Sequence, residues 1–184
     1  MNSKNFFDLY KKELDKDGKF TQDEVNALDE VLNIYEQNKD SFLLQQWAYI
    51  FATIFHESNG TMKPIKEAYY MGEEWRKAHL SYYPYYGRDF VHTTHKVNYA
   101  KFSTLVGVDL VKYPERISEP KIATKILLHG FTNGTWTGKK ISDYINEKKC
   151  LYVAARKCIN WTDKAELIAA YARKFETILK QSQQ

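Results

Sequence analysis

Residues Trp47–Glu67, WAYIFATIFHESNGTMKPIKE, combine a strongly apolar helical pattern with two carboxylates. The first half of this stretch is apolar on nearly every side, which predicts a helix buried on most of its circumference. The helix is expected to end in a polar turn that carries His56 and Glu57. A second carboxylate, Glu67, follows ten positions after the first. The stretch therefore predicts a central helix that delivers an acid to its own C-terminal end.

Similar helical patterns, with apolar residues three and four positions apart, occur along most of the chain. The predicted helices span Phe6–Leu14, Val25–Tyr35, Phe42–Glu57, Glu73–His79, Thr93–Phe102, Lys121–Asn133 and Leu151–Ile159, with another beginning at Ile141 and a last one capped by Thr162. The predicted fold class is mainly α, in a single domain of residues 1–184 whose N-terminal helical pair covers about residues 5–38. At most a small β element is expected near residues 69–92, beside a cleft.

The composition is that of a globular domain, with 43% hydrophobic and 27% charged residues among 184. A net charge of +4 is too weak to indicate nucleic-acid binding, although it suits an anionic polymer. The apolar run Trp47–Phe55 is too short to span a membrane, so no stable membrane insertion is expected. The N-terminus lacks the apolar core of a signal peptide, which predicts synthesis in the cytoplasm. We expect a monomer without a cofactor.

The two cysteines, Cys150 and Cys158, lie eight positions apart. On one continuous helix they would be roughly 12 Å apart, which is too far for a disulfide bond. Two free thiols are therefore expected. No histidine or cysteine pair lies nearby at the spacing of metal ligands, so no metal site is predicted there.

The segment Glu13–Glu24, ELDKDGKFTQDE, has two interpretations. It resembles a calcium-binding loop, with acids at the first, third, fifth and twelfth positions and Gly18 at the sixth. Alternatively, Asp17 and Gly18 form a turn, and Thr21 caps the next helix in a capping box with Glu24. The sequence leaves both alternatives open.

Two carboxyl groups with different environments are what glycosidic cleavage requires, because one must donate a proton and the other must activate water. Glu57 suits the acid, since a buried helix and its C-terminal dipole both disfavour a negative charge. Glu67, on a more polar segment after Pro64, suits the ionised base. The alternative is that Glu57 is a surface acid and that Glu67 pairs with a lysine, Lys63 or Lys66.

The motif HESNG, His56–Gly60, resembles the His-Glu-Ser/Thr-x-Gly signature of glycoside hydrolase family 19, which contains plant-type chitinases and phage endolysins. YYGRDFVHTTHKVNY, Tyr85–Tyr99, and GVDLVKYPE, Gly107–Glu115, resemble two further blocks of that family. TGKKISDY, Thr137–Tyr144, and the segment Arg156–Tyr171 resemble its phage branch. The resemblance covers nearly the whole chain.

The resemblance implies a lysozyme-like fold and an inverting mechanism. It assigns the general acid to Glu57, the general base to Glu67 and the hydroxyl group that holds the attacking water to Thr94. Inversion requires the two carboxyl groups to be about 6.5–9.5 Å apart. The sugar-contacting positions that the resemblance implies are His56, Tyr86, His92, Asn98 and Asn160.

The chain also departs from the family pattern. Asp89 and Trp161 each replace a glycine, and His92 replaces a glutamine. Because the length of the loop before the base varies in this family, Glu73 and Glu74 are rival candidates for the base.

The function expected from the resemblance is that of an endolysin, which cleaves the β-1,4 bond between N-acetylmuramic acid and N-acetylglucosamine in peptidoglycan. Such a protein would wait in the host cytoplasm until the membrane is disrupted, and would then act on the wall in the periplasm. One alternative is a chitinase of the same family. An alternative of another class is a non-catalytic helical protein that binds calcium or a saccharide.

Overall fold

The computed structural model describes residues 1–15, 18 and 20–183, and this part of the chain is mainly helical. Its α-helices are α1 (Ser3–Glu13), α2 (Gln22–Asn38), α3 (Leu44–Glu57), α4 (Glu73–His79), α5 (Lys96–Val106), α6 (Pro120–Asn133), α7 (Tyr152–Ala155) and α8 (Ala165–Ser182). Strands β1 (Ile145–Asn146) and β2 (Lys149–Cys150) form an antiparallel pair. The prediction of a mainly α fold with a small β element is confirmed.

Helix α3 lies at the centre of the main hydrophobic core. Every residue from Gln46 to Ile54 is buried, and α3 packs along α8. The rings of Phe51 and Phe175 stack across this contact with their centroids 5.4 Å apart. Burial of so many apolar side chains supplies most of the stability of such a helix, because its polar termini contribute little. The prediction of a buried central helix ending at Glu57 is confirmed.

The N-terminal helices pack on this core, α1 against α8 and α2 against α6. Helix α2 begins with a capping box: the N–H of Glu24 donates to Oγ1 of Thr21 at 3.3 Å, and Oε2 of Glu24 accepts the N–H of Thr21 at 2.7 Å. The predicted capping box of Thr21 and Glu24 is therefore confirmed, whereas the turn predicted at Asp17 and Gly18 falls partly outside the described residues. Asp17, a ligand in the calcium alternative, lies outside the described residues, so calcium binding stays a prediction.

The small β element does not lie where the sequence predicts it. The described residues 69–92 contain no strand. There the N–H of Tyr85 donates to the carbonyl of Tyr82, and the N–H of His92 donates to the carbonyl of Asp89. These local bonds fold the backbone into successive turns, so it cannot form an extended ladder.

The β1–β2 hairpin lies instead where the sequence predicts a helix from Ile141. Only the short 3-10 segment Ile141–Asp143 is helical there. The side-chain oxygen of Asn146 accepts the N–H groups of Lys148 and Lys149, at 3.0 and 3.2 Å, and closes the hairpin turn. Asparagine competes with helical bonding in this way because its side chain bonds to nearby backbone.

Two other helix starts also differ from prediction. Helix α8 is preceded by Lys164 in the left-handed region, with φ 55°, and Thr162 lies in the turn before it, where its carbonyl accepts the N–H of Ala165. Thr162 is therefore not the cap. Helix α5 begins at Lys96 and not at Thr93, because Thr93 is held in the preceding loop by a buried side chain.

A smaller hydrophobic cluster lies between α5 and α6 and supports the loop before α5. Its buried members are Tyr99, Phe102, Leu110, Ile117, Ile122 and Ile126. Both cysteines are free, Cys158 buried and Cys150 exposed. None of the described helices is both long and apolar enough to cross a membrane.

Candidate active site

Glu57 is the last residue of α3, where the buried helix reaches the surface. Its Oε1 accepts a hydrogen bond from Nη1 of Arg156 at 2.7 Å, and the side chains of Glu57 and Arg156 are 19% and 3% exposed. The Nε of Arg156 donates to the carbonyl of Asp163 at 2.9 Å. A buried guanidinium that is bonded to backbone on one side thus presents a fixed donor to the carboxyl group of Glu57.

Arg156 is a site residue that sequence reasoning missed, since the family resemblance included it only as the first residue of the segment Arg156–Tyr171. A signal was nevertheless available. Arg156 follows Tyr152 by four positions, which is helical spacing, so it falls on the same helix face as this buried aromatic residue. An arginine on a buried face needs an acidic partner, and such a partner points to an ion pair.

Two further side chains border this ion pair. Tyr49 is fully buried, and its hydroxyl group has no hydrogen-bond partner among the described residues. Burial raises the pKa of Tyr49 above its usual value, so the group stays neutral. Burial lowers the pKa of His56, and this effect outweighs the attraction of the proton to Glu57. His56 is therefore favoured as a neutral imidazole, able to accept or donate a hydrogen bond beside Glu57.

Glu67 belongs to a group of residues separate from Glu57, and two neutral hydrogen-bond donors hold its carboxyl group. Its Oε1 accepts from the hydroxyl group of Tyr82 at 2.6 Å, and its Oε2 accepts from the N–H of Gly87 at 3.0 Å. The N–H of Glu67 donates in turn to the carbonyl of Gly87 at 2.8 Å. The hydrogen bond to Glu67 raises the pKa of Tyr82 to about 12, so Tyr82 remains a donor. These bonds fix the orientation of the carboxyl group.

The alternative in which Glu67 pairs with a neighbouring lysine is wrong. Lys63 pairs with Asp23, with 3.1 Å between Nζ and Oδ2, and Lys66 lies 3.8 Å from Oε2 of Glu73. Both lysines therefore pair with acids other than Glu67, and the carboxyl group of Glu67 accepts hydrogen bonds from Tyr82 and from the backbone N–H of Gly87.

Glu73, one rival base, is surrounded by cationic side chains and a buried tyrosine. Tyr86 donates to both of its oxygens, at 2.8 and 2.9 Å, and Nη1 of Arg76 lies 3.2 Å from Oε2. Burial alone would raise the pKa of Glu73, but the Tyr86 bond and the cations Lys66, Arg88 and Arg76 lower it. Glu74, the other rival, is exposed on α4.

The interpretation of Tyr86 as a sugar contact needs correction. Its side chain is fully buried, and the guanidinium of Arg88 lies 3.5 Å over its ring. With its face covered and its hydroxyl group bonded to Glu73, the side chain has no surface left for a ligand. Tyr86 therefore supports the loop and does not contact substrate in this conformation.

Thr94 lies in a loop that a buried carboxylate shapes. Asp89 is fully buried; its Oδ1 accepts the N–H of Thr93 at 2.7 Å, and its Oδ2 accepts the Thr93 hydroxyl at 2.6 Å. Burial raises the pKa of Asp89 in spite of these bonds. His92 and His95 on either side have positive φ values of 52° and 71°, a backbone strain that persists only where surrounding bonds impose it.

The predicted site residues thus form two groups. Asn98 lies beside Thr94, whose carbonyl accepts its side-chain N–H at 2.8 Å, and the Tyr82 ring links Glu67 to this loop through His95, with centroids 4.9 Å apart. His92 is partly exposed in the same loop.

The second group surrounds Glu57. It includes the neighbouring His56 and the exposed Asn160, whose N–H donates to the carbonyl of Arg156 at 3.0 Å. Trp161 follows Asn160 and is 62% exposed. No hydrogen bond or ion pair between described residues joins the two groups.

Among the described residues, no group of three or more His, Cys, Asp or Glu side chains is arranged to hold a metal ion. A groove of about 1210 Å³ lies elsewhere, between residues 150–154 and α8, and Glu57, Glu67 and Thr94 do not line it. Comparison of the chain with known protein families, curated proteins and solved structures found no match.

Proposed function

We propose that this protein is an endolysin-type glycoside hydrolase with a lysozyme-like fold, which hydrolyses the β-1,4 bond between N-acetylmuramic acid and N-acetylglucosamine by inversion. The observation that carries the proposal is the contrast between two carboxyl groups. Glu57 ends a buried helix against a buried arginine, whereas Glu67 is oriented by a tyrosine hydroxyl and a backbone N–H. The motif resemblance to family 19 supports the same pair.

In this mechanism Glu57 donates its proton to the glycosidic oxygen as the bond breaks. Its side chain is only 19% exposed and lies at the C-terminal end of the buried helix α3. Arg156 stabilises the carboxylate that remains afterwards, because its guanidinium already lies at hydrogen-bond distance. His56, neutral beside this pair, is suited to bond a sugar hydroxyl or amide group.

Glu67 accepts the proton of a water molecule that attacks the opposite face of the sugar. Tyr82 and Gly87 keep its carboxyl group oriented, and the Thr94 hydroxyl holds the water on the same side. Glu73 is the weaker candidate for the base, because Tyr86 and Arg76 already occupy its oxygens. Both proton transfers are supplied by carboxyl groups, so the reaction requires no cofactor.

The proposed substrate and location follow from the same reasoning. The net charge of +4 suits an anionic wall polymer. We infer a monomer that remains in the host cytoplasm until the membrane is disrupted and then degrades the wall from the periplasm. A chitinase would use the same chemistry on chitin, so the test includes chitin as a second substrate.

The test is digestion of purified Gram-negative peptidoglycan, with colloidal chitin in parallel, followed by mass spectrometry of the products. Glu57→Gln and Glu67→Gln should each lower the rate by about 10²–10⁴-fold while the far-ultraviolet circular dichroism is unchanged. Glu30→Gln, at an exposed position on α2, is the matched control and should retain full activity. Proton NMR of the first products should show the α anomer, which indicates inversion.

Three outcomes would contradict parts of the proposal. Absence of any new reducing end from peptidoglycan would refute the endolysin function, and chito-oligomers alone would assign a chitinase. A β anomer would refute inversion. An active Glu67→Gln together with an inactive Glu73→Gln or Glu74→Gln would refute the assignment of the base.

A further inference from the structure

Two tyrosines beside Glu67 are unusually exposed. Tyr69 is 60% and Tyr70 is 76% exposed, and their rings meet edge to face with centroids 5.5 Å apart. Neither hydroxyl group forms a hydrogen bond to a described residue, so both remain available. Other tyrosines of this chain, such as Tyr49 and Tyr99, are buried and are stabilised by the hydrophobic effect. The exposed rings of Tyr69 and Tyr70 lack this stabilisation.

The backbone that carries these rings is held in place. The buried Arg76 donates from Nε to the carbonyl of Glu67 at 2.8 Å and from Nη2 to the carbonyl of Ala68 at 2.9 Å. Ala68 has a positive φ of 47°, and its carbonyl also accepts the N–H of Met71 at 2.8 Å, which closes a turn around the tyrosines. The strain at Ala68 persists because the arginine fixes the adjacent carbonyls.

This clamp has a consequence for binding. Rings on a fixed turn lose little conformational freedom when a ligand covers them, so more of the contact energy is kept as affinity. The same arginine holds the backbone of Glu67, whose carboxyl group Tyr82 and Gly87 orient. The exposed rings and the candidate base are therefore parts of one rigid segment.

From this geometry we propose that Tyr69 and Tyr70 form a saccharide-binding subsite, which receives a pyranose unit of the β-1,4-linked amino-sugar strand on the Glu67 side of the scissile bond. This inference rests on the proposed function. A pyranose ring presents C–H groups on its faces and hydroxyl and amide groups at its edge. A tyrosine offers a matching apolar face together with a polar hydroxyl group.

The subsite also replaces the sugar contact that Tyr86 cannot make. Tyr86 is buried and covered by Arg88, whereas Tyr69 and Tyr70 lie at the surface of the same group of residues. Arg76 connects both parts, because it also pairs with Glu73, the partner of Tyr86. The buried tyrosine thus belongs to the support of the segment, and the exposed tyrosines belong to its binding surface.

The test measures binding separately from cleavage. In a Glu57→Gln background, which is designed not to turn over substrate, Tyr69→Ala and Tyr70→Ala are compared by sedimentation with insoluble peptidoglycan and by titration with a chito-oligosaccharide. Each substitution should raise Kd by about 2–12-fold, the range that corresponds to one aromatic contact. In the otherwise unaltered enzyme, the same changes should raise KM more than they lower kcat.

Two controls make the result specific. Tyr69→Phe and Tyr70→Phe keep the ring and should retain most of the affinity. Tyr113→Ala removes another exposed tyrosine, 43% exposed and outside this segment, and should bind as the parent does.

Unchanged binding by the double Tyr69→Ala, Tyr70→Ala variant would overturn the subsite. An equal loss in Tyr113→Ala would also overturn it, because the effect would not be local. If the enzyme cleaves neither polymer but binds a saccharide through these rings, the proposed function fails while the subsite stands. If cleavage is normal and the alanine variants bind normally, only the subsite fails.

Discussion

Replacing Asp89 by alanine tests whether this buried carboxylate holds the loop that carries Thr94. Asp89 is fully buried, and its two oxygens accept the N–H and the hydroxyl group of Thr93 at 2.7 and 2.6 Å. Alanine would leave both donors without a partner in a place that water does not reach. An unsatisfied buried polar group costs about 1–3 kcal/mol, so the two together should lower the free energy of unfolding by about 2–6 kcal/mol.

The measurement is urea denaturation followed by circular dichroism. Asp109→Ala is the matched control, because Oδ1 of Asp109 also accepts two N–H groups, at 3.1 and 2.9 Å, but at an exposed position. Water can replace that carboxylate, so the control should lose only about 0.5–1.5 kcal/mol. If Asp89→Ala costs no more than Asp109→Ala, the two bonds do not stabilise the loop and the reasoning is refuted.

The pH dependence gives a second test at the same residue. Burial raises the pKa of Asp89 above its usual value of 3.8, so the folded protein binds this proton more tightly than the unfolded chain does. The contribution of this proton to the free energy of unfolding is therefore complete below the pKa that Asp89 has in the unfolded chain. It is lost as the pH rises through the pKa of Asp89 in the folded protein. Asp89→Asn cannot titrate. The stability of the parent relative to Asp89→Asn should accordingly fall as the pH rises from about 3 to 7; a constant difference would contradict this.

Two further predictions concern packing and protonation. A Cβ at Gly130 would overlap the ring of Trp136, so Gly130→Ala should lower the free energy of unfolding by about 1–3 kcal/mol. The control is Gly72→Ala, which has open space around the added atom and should change the free energy of unfolding by less than about 0.5 kcal/mol. Equal values for the two variants in urea denaturation would contradict the packing argument. Burial lowers the pKa of His56 in the folded protein below the value of about 6.5 in the unfolded chain. The neutral His56 side chain therefore contributes to stability above a pH of about 6.5, and this contribution is lost as the pH falls through the pKa of the folded protein. His56→Gln should therefore flatten the decline of stability between pH values of about 7 and 5, and an unchanged decline would refute the assignment.

The helices were the most predictable part of the structure, because their signals are local. Periodic apolar faces placed α2 and α3 to within three residues at each end, the capping box located the start of α2, and the short helix Glu73–His79 matches its predicted bounds. The β hairpin was not predictable in this way. It depends on the Asn146 side chain, which competes successfully with helical bonding only in this context.

For the candidate site, sequence patterns indicated Glu57 and Glu67, and the family resemblance implied Thr94, but neither indicated which residues hold these side chains in place. Tyr82 and Gly87 reach Glu67 from a loop 15 and 20 positions later. Such loop contacts leave no periodic trace, and they can be recognised only when the chain is folded.

The amino-acid sequence by itself determined that the chain is mainly helical and that a buried helix ends at Glu57, because helix formation and amphipathic burial depend on residues a few positions apart. Only the tertiary structure decided that Arg156, 99 positions away, lies against that carboxyl group, and that Tyr86 is buried while Tyr69 and Tyr70 are exposed. The physical reason is that pairing and exposure depend on which distant segments pack together. A side chain's type does not specify that packing.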